Sequence, residues 1–464
     1  MKSWNKVNGQ QKDKSKKRHR STETKLSRRD FIGGAGAAAA AFMIVPRHVL
    51  GGVGYTPPSE KLNIGAIGAG GRGRADISFA SYENIVAMCD VDDERAADMF
   101  NRYPKAKKYR DFRKMLEEEK SIDAVMVSTP DNVHAAATMM AIKMGKHVYT
   151  QKPMAHDIYE ARKLTEAARE AKVATQMGNQ AHSSEDIRLV CEWIWDGAIG
   201  PVREVHVWTD RPKTYWPQGL ERPKEVEPIP STLDWDLWLG PAPQRPYNSA
   251  YCPRKWRAWW DFGCGALGDM GCHIMDVPFW ALKLRYPTSV EACSTGVNSE
   301  TGPIASMIRY DFPARDEMPA VKMTWYDGGL RPPRPEELEA GRRMGNSDGG
   351  ILFIGDKGIL MSGHNGEGPR LIPETKMKEY KRPPKTIPRI EGNHHKDWIR
   401  ACKGGEPACS NFGYAGLLTE VVLLGNVALR AGEKLYWDGP NMKVTNVDKA
   451  NEYIRREYRQ GWSL

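Results

Sequence analysis

Lys61-Leu62-Asn63-Ile64-Gly65-Ala66-Ile67-Gly68-Ala69-Gly70-Gly71-Arg72-Gly73 decides the fold of this 464-residue chain. The apolar run reads as a buried strand, and Gly68-x-Gly70-x-x-Gly73 falls where that strand gives way to a helix-like stretch beginning at Arg72. Glycines are needed at such a junction because the turn is tight, the backbone must approach a pyrophosphate, and the helix packs closely on the strand. The helix N-terminus then offers unpaired N–H groups and partial positive charge to phosphates. Glycine-rich turns are common, so the surroundings of this one carry the reading.

Downstream, residues 61–67, 85–89, 124–129, 147–150 and 173–177 read as strands, and 72–80, 92–102, 111–118, 133–144 and 158–171 as helices. This alternation predicts βαβ units, hence α/β architecture with a doubly wound parallel sheet of Rossmann type over residues 60–180. Asp90, 22 residues beyond Gly68, stands at the end of the second strand. An acid there hydrogen-bonds the adenosine ribose and repels a 2'-phosphate, although an N-cap role is the alternative and Asp92 fills it equally well. Val91, Asp92 and Asp93 follow, with no adjacent arginine, which favours NAD over NADP.

Upstream lies a basic tail. Residues 1–30 hold seven Lys, four Arg and three acids, so most of the chain's net charge of +10 resides there. Without that tail the chain is nearly neutral, which argues against nucleic acid as a partner. Ser27-Arg28-Arg29-Asp30-Phe31-Ile32 and the small-residue run to Val45 describe a twin-arginine export signal. The expectation is a signal and tail over 1–50, a linker over 51–59, the twin-arginine machinery as partner, and periplasmic location. No clear Ala-x-Ala site follows, so an uncleaved anchor is an alternative. No later stretch reads as apolar enough to span a bilayer. The eight cysteines include no Cys-x-x-Cys pair and read mostly as small buried side chains.

Beyond residue 180 the alternation ends. Residues 187–195 read as a helix, and 202–209, 290–295, 306–312, 321–325, 351–354 and 358–361 as strands. The expectation is an α+β domain over 181–445 with a large, mainly antiparallel open sheet, then a tail over 446–464.

Two motifs carry a resemblance. The fourth strand ends in Ser128-Thr129-Pro130-Asp131-Asn132-Val133-His134 and the fifth in Gln151-Lys152-Pro153; later comes Trp259-Trp260-Asp261-Phe262-Gly263-Cys264-Gly265-Ala266-Leu267-Gly268-Asp269-Met270-Gly271-Cys272-His273. With the glycine turn, these resemble the Gfo/Idh/MocA oxidoreductases over roughly residues 60–440. That family commonly has Glu where this chain has Gln151. The resemblance implies His273 as acid/base, Lys152 polarising the reacting oxygen, and Asp269 orienting substrate or tuning the pair. Asp269 and His273 fall on one helix face, an arrangement suited to proton handling. It also implies a homo-oligomer through the C-terminal sheet. Gly68, Gly70, Gly71, Arg72, Gly73, Asp90, Thr129, Pro130, His134, Lys152 and Gln180 are the cofactor-binding candidates. For His134, capping its helix is the alternative.

Aromatic residues crowd residues 208–280. Ring faces suit the C–H faces of a sugar, with core packing the competing role of each. Tyr215, Trp216, Arg257 and Trp260, with His182 and His394, are the substrate candidates. No metal is assigned, because His182, His394 and His395 are not brought to Asp269 and His273 by the sequence. The expected function is an NAD-dependent oxidoreductase acting on a secondary hydroxyl of a sugar, polyol or glycoside, with the cofactor tightly bound. The alternatives are a redox-assisted glycosidase or lyase using bound NAD transiently, and a non-catalytic sugar-binding protein.

Overall fold

The computed structural model describes residues 60–213 and 215–464. The export signal and linker expected over residues 1–59 lie outside the described residues.

The glycine stretch opens a six-stranded parallel sheet of order β3-β2-β1-β4-β5-β6. Its strands are β1 (Asn63–Ile67), β2 (Asn84–Cys89), β3 (Lys107–Tyr109), β4 (Ala124–Val127), β5 (His147–Thr150) and β6 (Thr175–Met177). The crossovers are α1 (Gly71–Phe79), α2 (Asp93–Arg102), α3 (Phe112–Glu118), α4 (Asp131–Lys143) and α5 (Ile158–Ala171). β1 and β4 are neighbours although consecutive strands β1 to β3 run the other way. The loops after β1 and β4 therefore diverge at a topological switch point, where ligands bind in open α/β sheets. β3, Lys-Lys-Tyr, was not anticipated: it is three residues long with two exposed lysines, and has no apolar run to betray it. Asp92 accepts N–H bonds from Glu94 and Arg95 and is the N-cap of α2.

After a 3-10 turn (Gln180–Ser183) and α6 (Glu185–Trp195), β7 (Val202–Thr209) begins a nine-stranded sheet. α7 (Trp235–Leu239), a 3-10 turn (Lys255–Ala258), α8 (Gly265–Ile274) and α9 (Asp276–Ala281) follow before β8 (Ser289–Ser294), β9 (Ser306–Phe312), β10 (Val321–Tyr326), β11 (Gly349–Gly355), β12 (Gly358–Ser362) and β13 (Arg370–Ile372). α10 (Glu374–Glu379), α11 (His394–Cys402) and α12 (Phe412–Ala431) come next, then β14 (Leu435–Asp438) and β15 (Lys443–Val444). The order is β13-β12-β11-β7-β10-β9-β8-β14-β15. β7 and β10 pair in parallel, and the other pairs are antiparallel.

α12 is 20 residues long and apolar enough by length and composition to cross a membrane, contrary to the expectation from sequence. Here it is a core helix: 83% of its most apolar window is buried, and it packs on α5, α8 and β8. Gly425 faces Tyr310 and Leu267 so closely that a Cβ would lie 2.2 Å from the Tyr310 hydroxyl. The chain thus returns from its second sheet to the first, because α11 also packs on β6.

Candidate active site

The glycine turn has the form a pyrophosphate requires. Gly68 has φ +86°, and a Cβ on it would lie 2.7 Å from the Ser128 carbonyl oxygen; one on Gly73 would meet the Gly68 oxygen at 1.7 Å. Gly70 is the N-cap of α1, and no side chain caps the helix. Asp90 accepts from the Gly70 N–H at 2.8 Å and the Asp92 N–H at 3.0 Å. It therefore fixes the turn itself, and burial outweighs those bonds to raise its carboxyl. Arg95, on α2, reaches over the same turn: its Nη2 would be 3.0 Å from a Cβ on Gly71. Sequence reading missed this arginine because it lies five residues past Asp90 and is brought back only by the helix.

Beneath the turn, Asp76 is fully buried and gathers four partners. Arg72 Nε donates at 3.1 Å, Ser128 Oγ at 2.9 Å and Gln151 Nε2 at 2.8 Å, and His395 Nε2 lies at 3.0 Å. Burial alone would raise this carboxyl, but the bonds to His395, Arg72 and Ser128 prevail and lower it. Gln151 follows from that neighbour: a Glu in its place would set a second carboxylate against Asp76.

A charged cluster forms where the chain leaving β5 meets α8. Lys152 Nζ donates to Asp269 Oδ1 at 2.9 Å and to its carbonyl, and Arg257 Nε donates to the same Oδ1 at 2.9 Å. Burial would raise the Asp269 carboxyl, but Lys152 and Arg257 hold it well below the usual range. Asp269 and His273 share α8 one turn apart, yet the carboxylate is spent on the lysine and arginine. The sequence's Asp269/His273 pair is therefore corrected: the hydrogen-bonded pair is Lys152–Asp269. His273 stands beside it with a buried Nδ1 that has no partner. Burial, then the Lys152 charge, push its imidazole far below the ordinary histidine range, so the ring is neutral. Asp131, whose Oδ2 accepts from Cys264 N at 3.2 Å ahead of α8, is pushed up to about 7 by burial.

Several candidates fall elsewhere. His134 is buried with Nδ1 2.8 Å from the Pro153 carbonyl and Nε2 2.9 Å from that of Thr129. It ties the loops after β4 and β5 together and neither lines a pocket nor caps its helix. His182 is buried against Asp276 at 2.9 Å and stacked on Trp280, in a network with Asn179 and Tyr414. His394 spends both nitrogens on Ser183 Oγ and the Met177 carbonyl. His394 has no nitrogen left for a substrate, and His182 is tied to Asp276 through Nδ1. Trp216 and Trp260 are buried, and Trp216 belongs to an aromatic cluster with Trp235, Trp238, Tyr251 and Trp256. Core packing claims the Trp216 ring, while Trp260 donates through Nε1 to the Asn298 carbonyl at 3.3 Å and lies under the Arg430 guanidinium. Gln180 donates to the Tyr149 hydroxyl at 2.8 Å, and Thr129 and Pro130 border the glycine turn through Ser128. Among the substrate candidates, Arg257 joins the cluster through Asp269, and Tyr215 is half-exposed with the Arg211 guanidinium over its ring. His364, unanticipated, lies part-buried beside Asn346, 3.0 Å from its side-chain amide.

Residues 62–179 match the model of an oxidoreductase family, described as its NAD-binding Rossmann fold, and residues 205–304 match that family's C-terminal alpha/beta domain. Over these two stretches the chain is similar to the Gfo/Idh/MocA oxidoreductases. Levoglucosan dehydrogenase of Pseudarthrobacter phenanthrenivorans is 22% identical over 47% of this chain and 50% of its own. A glycosyl hydrolase family 109 protein of Shewanella pealeana is 24% identical over 41% and 51%. The chain thus spans about half the length of these curated relatives. Among solved structures, the WlbA dehydrogenase of Bordetella pertussis in complex with NADH and UDP-GlcNAcA aligns with TM-score 0.56 at 18% identity, over 81% of this chain and 99% of that one. That likeness is one of fold.

Proposed function

We propose that this chain is an NAD-dependent oxidoreductase of the Gfo/Idh/MocA family acting on a secondary hydroxyl of a sugar, polyol or glycoside. The observation that carries the reading is the Lys152–Asp269–Arg257 cluster with neutral His273 one helical turn away. The residues suit a dinucleotide: the glycines of the turn Gly68–Gly73 leave room for its pyrophosphate, and Asp90, bound to the Gly70 N–H, is the carboxylate at that turn that can meet a ribose hydroxyl. Bound NAD supplies the hydride acceptor. A neutral imidazole can take the hydroxyl proton, and His273 has no bonded partner at Nδ1 to compete for it. Lys152 is held in place by two bonds to Asp269, which leaves one Nζ proton for the reacting oxygen, whose negative charge it stabilises. Arg257 keeps Asp269 ionised and the lysine fixed.

A second reading, a glycosidase that oxidises and re-reduces its sugar on bound NAD, is favoured by the likeness to the glycosyl hydrolase family 109 protein. Incubating the purified protein with glycosides while following reduced nicotinamide and free sugar separates the two. Net reduction supports the dehydrogenase; sugar release without net reduction supports the glycosidase.

The twin arginines 28 and 29 support a further proposal, export by the twin-arginine route to the periplasm with NAD already bound. Assembly through the nine-stranded sheet is proposed on the family resemblance.

A further inference from the structure

We propose that Arg211, Tyr215 and Asp348 form a second sugar subsite, beyond the ring that is oxidised, so that the protein prefers disaccharides or glycosides to free monosaccharides. The proposal rests on the carbohydrate reading of the cleft.

A row of side chains borders the cleft. From Asp269, Arg257 extends until its guanidinium lies 5.8 Å from the centre of the Trp216 ring. Trp216 meets Tyr215 edge-on at 6.4 Å. The Arg211 guanidinium covers the Tyr215 ring at 3.2 Å, and Tyr215 Oη donates to Asp348 Oδ1 at 3.4 Å. The row continues through Asn346, whose Oδ1 accepts from the Asp348 N–H at 3.0 Å and whose side-chain amide lies 3.0 Å from His364 Nδ1. His364 in turn lies 2.8 Å from the Asn365 side-chain amide through Nε2, which fixes this side of the wall. Between Asp269 and Asp348 stand two guanidinium groups and two aromatic rings, a longer path than one pyranose ring covers. A sugar reacting at Lys152 and His273 leaves Tyr215 and Asp348 for its neighbour.

The chemistry of the far wall suits a neutral sugar. Tyr215 is 52% exposed, and Arg211 covers one face of its ring, leaving the other for a C–H face. Asp348 is an acceptor for hydroxyl groups and Arg211 a fork of donors. Their ion pair, Nη1 to Oδ1 at 3.3 Å, cancels the local charge and gives no preference to an anionic ligand. The wall is also fixed in advance. The Asp348 carbonyl accepts from Thr209 Oγ1 at 3.0 Å and from the Asp210 N–H at 3.3 Å, and the Arg211 carbonyl accepts from Gly328 N at 2.6 Å.

Calorimetric titration of the NAD-loaded protein with glucose, cellobiose, maltose and lactose tests this. At least one disaccharide is expected to bind about tenfold tighter than glucose. Tyr215→Ala and Asp348→Asn bring that ratio toward unity, whereas Tyr215→Phe retains most of it. A wild-type protein that binds glucose as tightly as every disaccharide, or a ratio unchanged in Tyr215→Ala and Asp348→Asn, overturns the subsite. Cofactor reduction is read in the same samples. Disaccharide preference lost in the variants but never accompanied by reduction supports the subsite and overturns the dehydrogenase reading.

Discussion

Gln151 Nε2 donates to Asp76 Oδ2 at 2.8 Å, joining the end of β5 to the helix that follows the glycine turn. The bond is buried, and Asp76 is already bound by Arg72, Ser128 and His395. The residue that departs from the resembled pattern is therefore matched to a carboxylate held under the cofactor site.

Gln151→Glu is expected to destabilise the fold by about 1–3 kcal/mol at neutral pH, the cost of two facing buried acids. The new Glu has its folded pKa raised, so the penalty grows as pH rises through that value and fades toward pH ~4, where both states are protonated. Thermal melts of the variant across pH check this, and Asp76→Asn added to Gln151→Glu should restore stability at neutral pH.

Asp90→Ala should weaken NAD binding by about tenfold to a hundredfold, because one charge-assisted anchor of the Gly70 N–H is lost along with the ribose acceptor. NADP should lose less, since a repelling carboxylate is removed. Fluorescence titration with both dinucleotides measures the two changes.

The unusual acidity of His273 has a sign that kinetics can read. Burial and the Lys152 charge depress its imidazole, so the base stays neutral below the ordinary histidine range. The acidic limb of kcat/KM attributable to it should fall well below pH ~6.5. His273→Ala should abolish turnover while NAD is still bound.

Lys152→Met is expected to lower kcat by about 10²–10⁴ with NAD affinity little changed, as the residue acts on the reacting oxygen. Steady-state kinetics beside a cofactor titration distinguish this from a loss of folding.

Legibility in the sequence followed the range of the interactions. The parallel sheet was readable because strand, glycine turn and helix are adjacent, and the predicted ends of most elements lie within a few residues of those observed. β3 and β13 to β15 were not, being short and without sustained alternation. Lys152, Asp269 and His273 were singled out through motifs, and the structure joins the first two by a hydrogen bond. Their pairing was not legible, because Arg257 reaches Asp269 only through the fold. His182 and His394 looked reactive for their residue type alone, and burial assigns them to structural networks. Asp76, Arg95, His364 and Asp348 carried no local signal: each gains its place from partners distant in sequence or a turn of helix away.

The most direct test of the central claim is to denature the purified protein, look for released nicotinamide dinucleotide, and measure NAD binding to any cofactor-free protein. Dinucleotide coming off the protein, or NAD binding that Asp90→Ala weakens, is the predicted result. Protein that releases no nucleotide and does not bind added NAD would contradict the account.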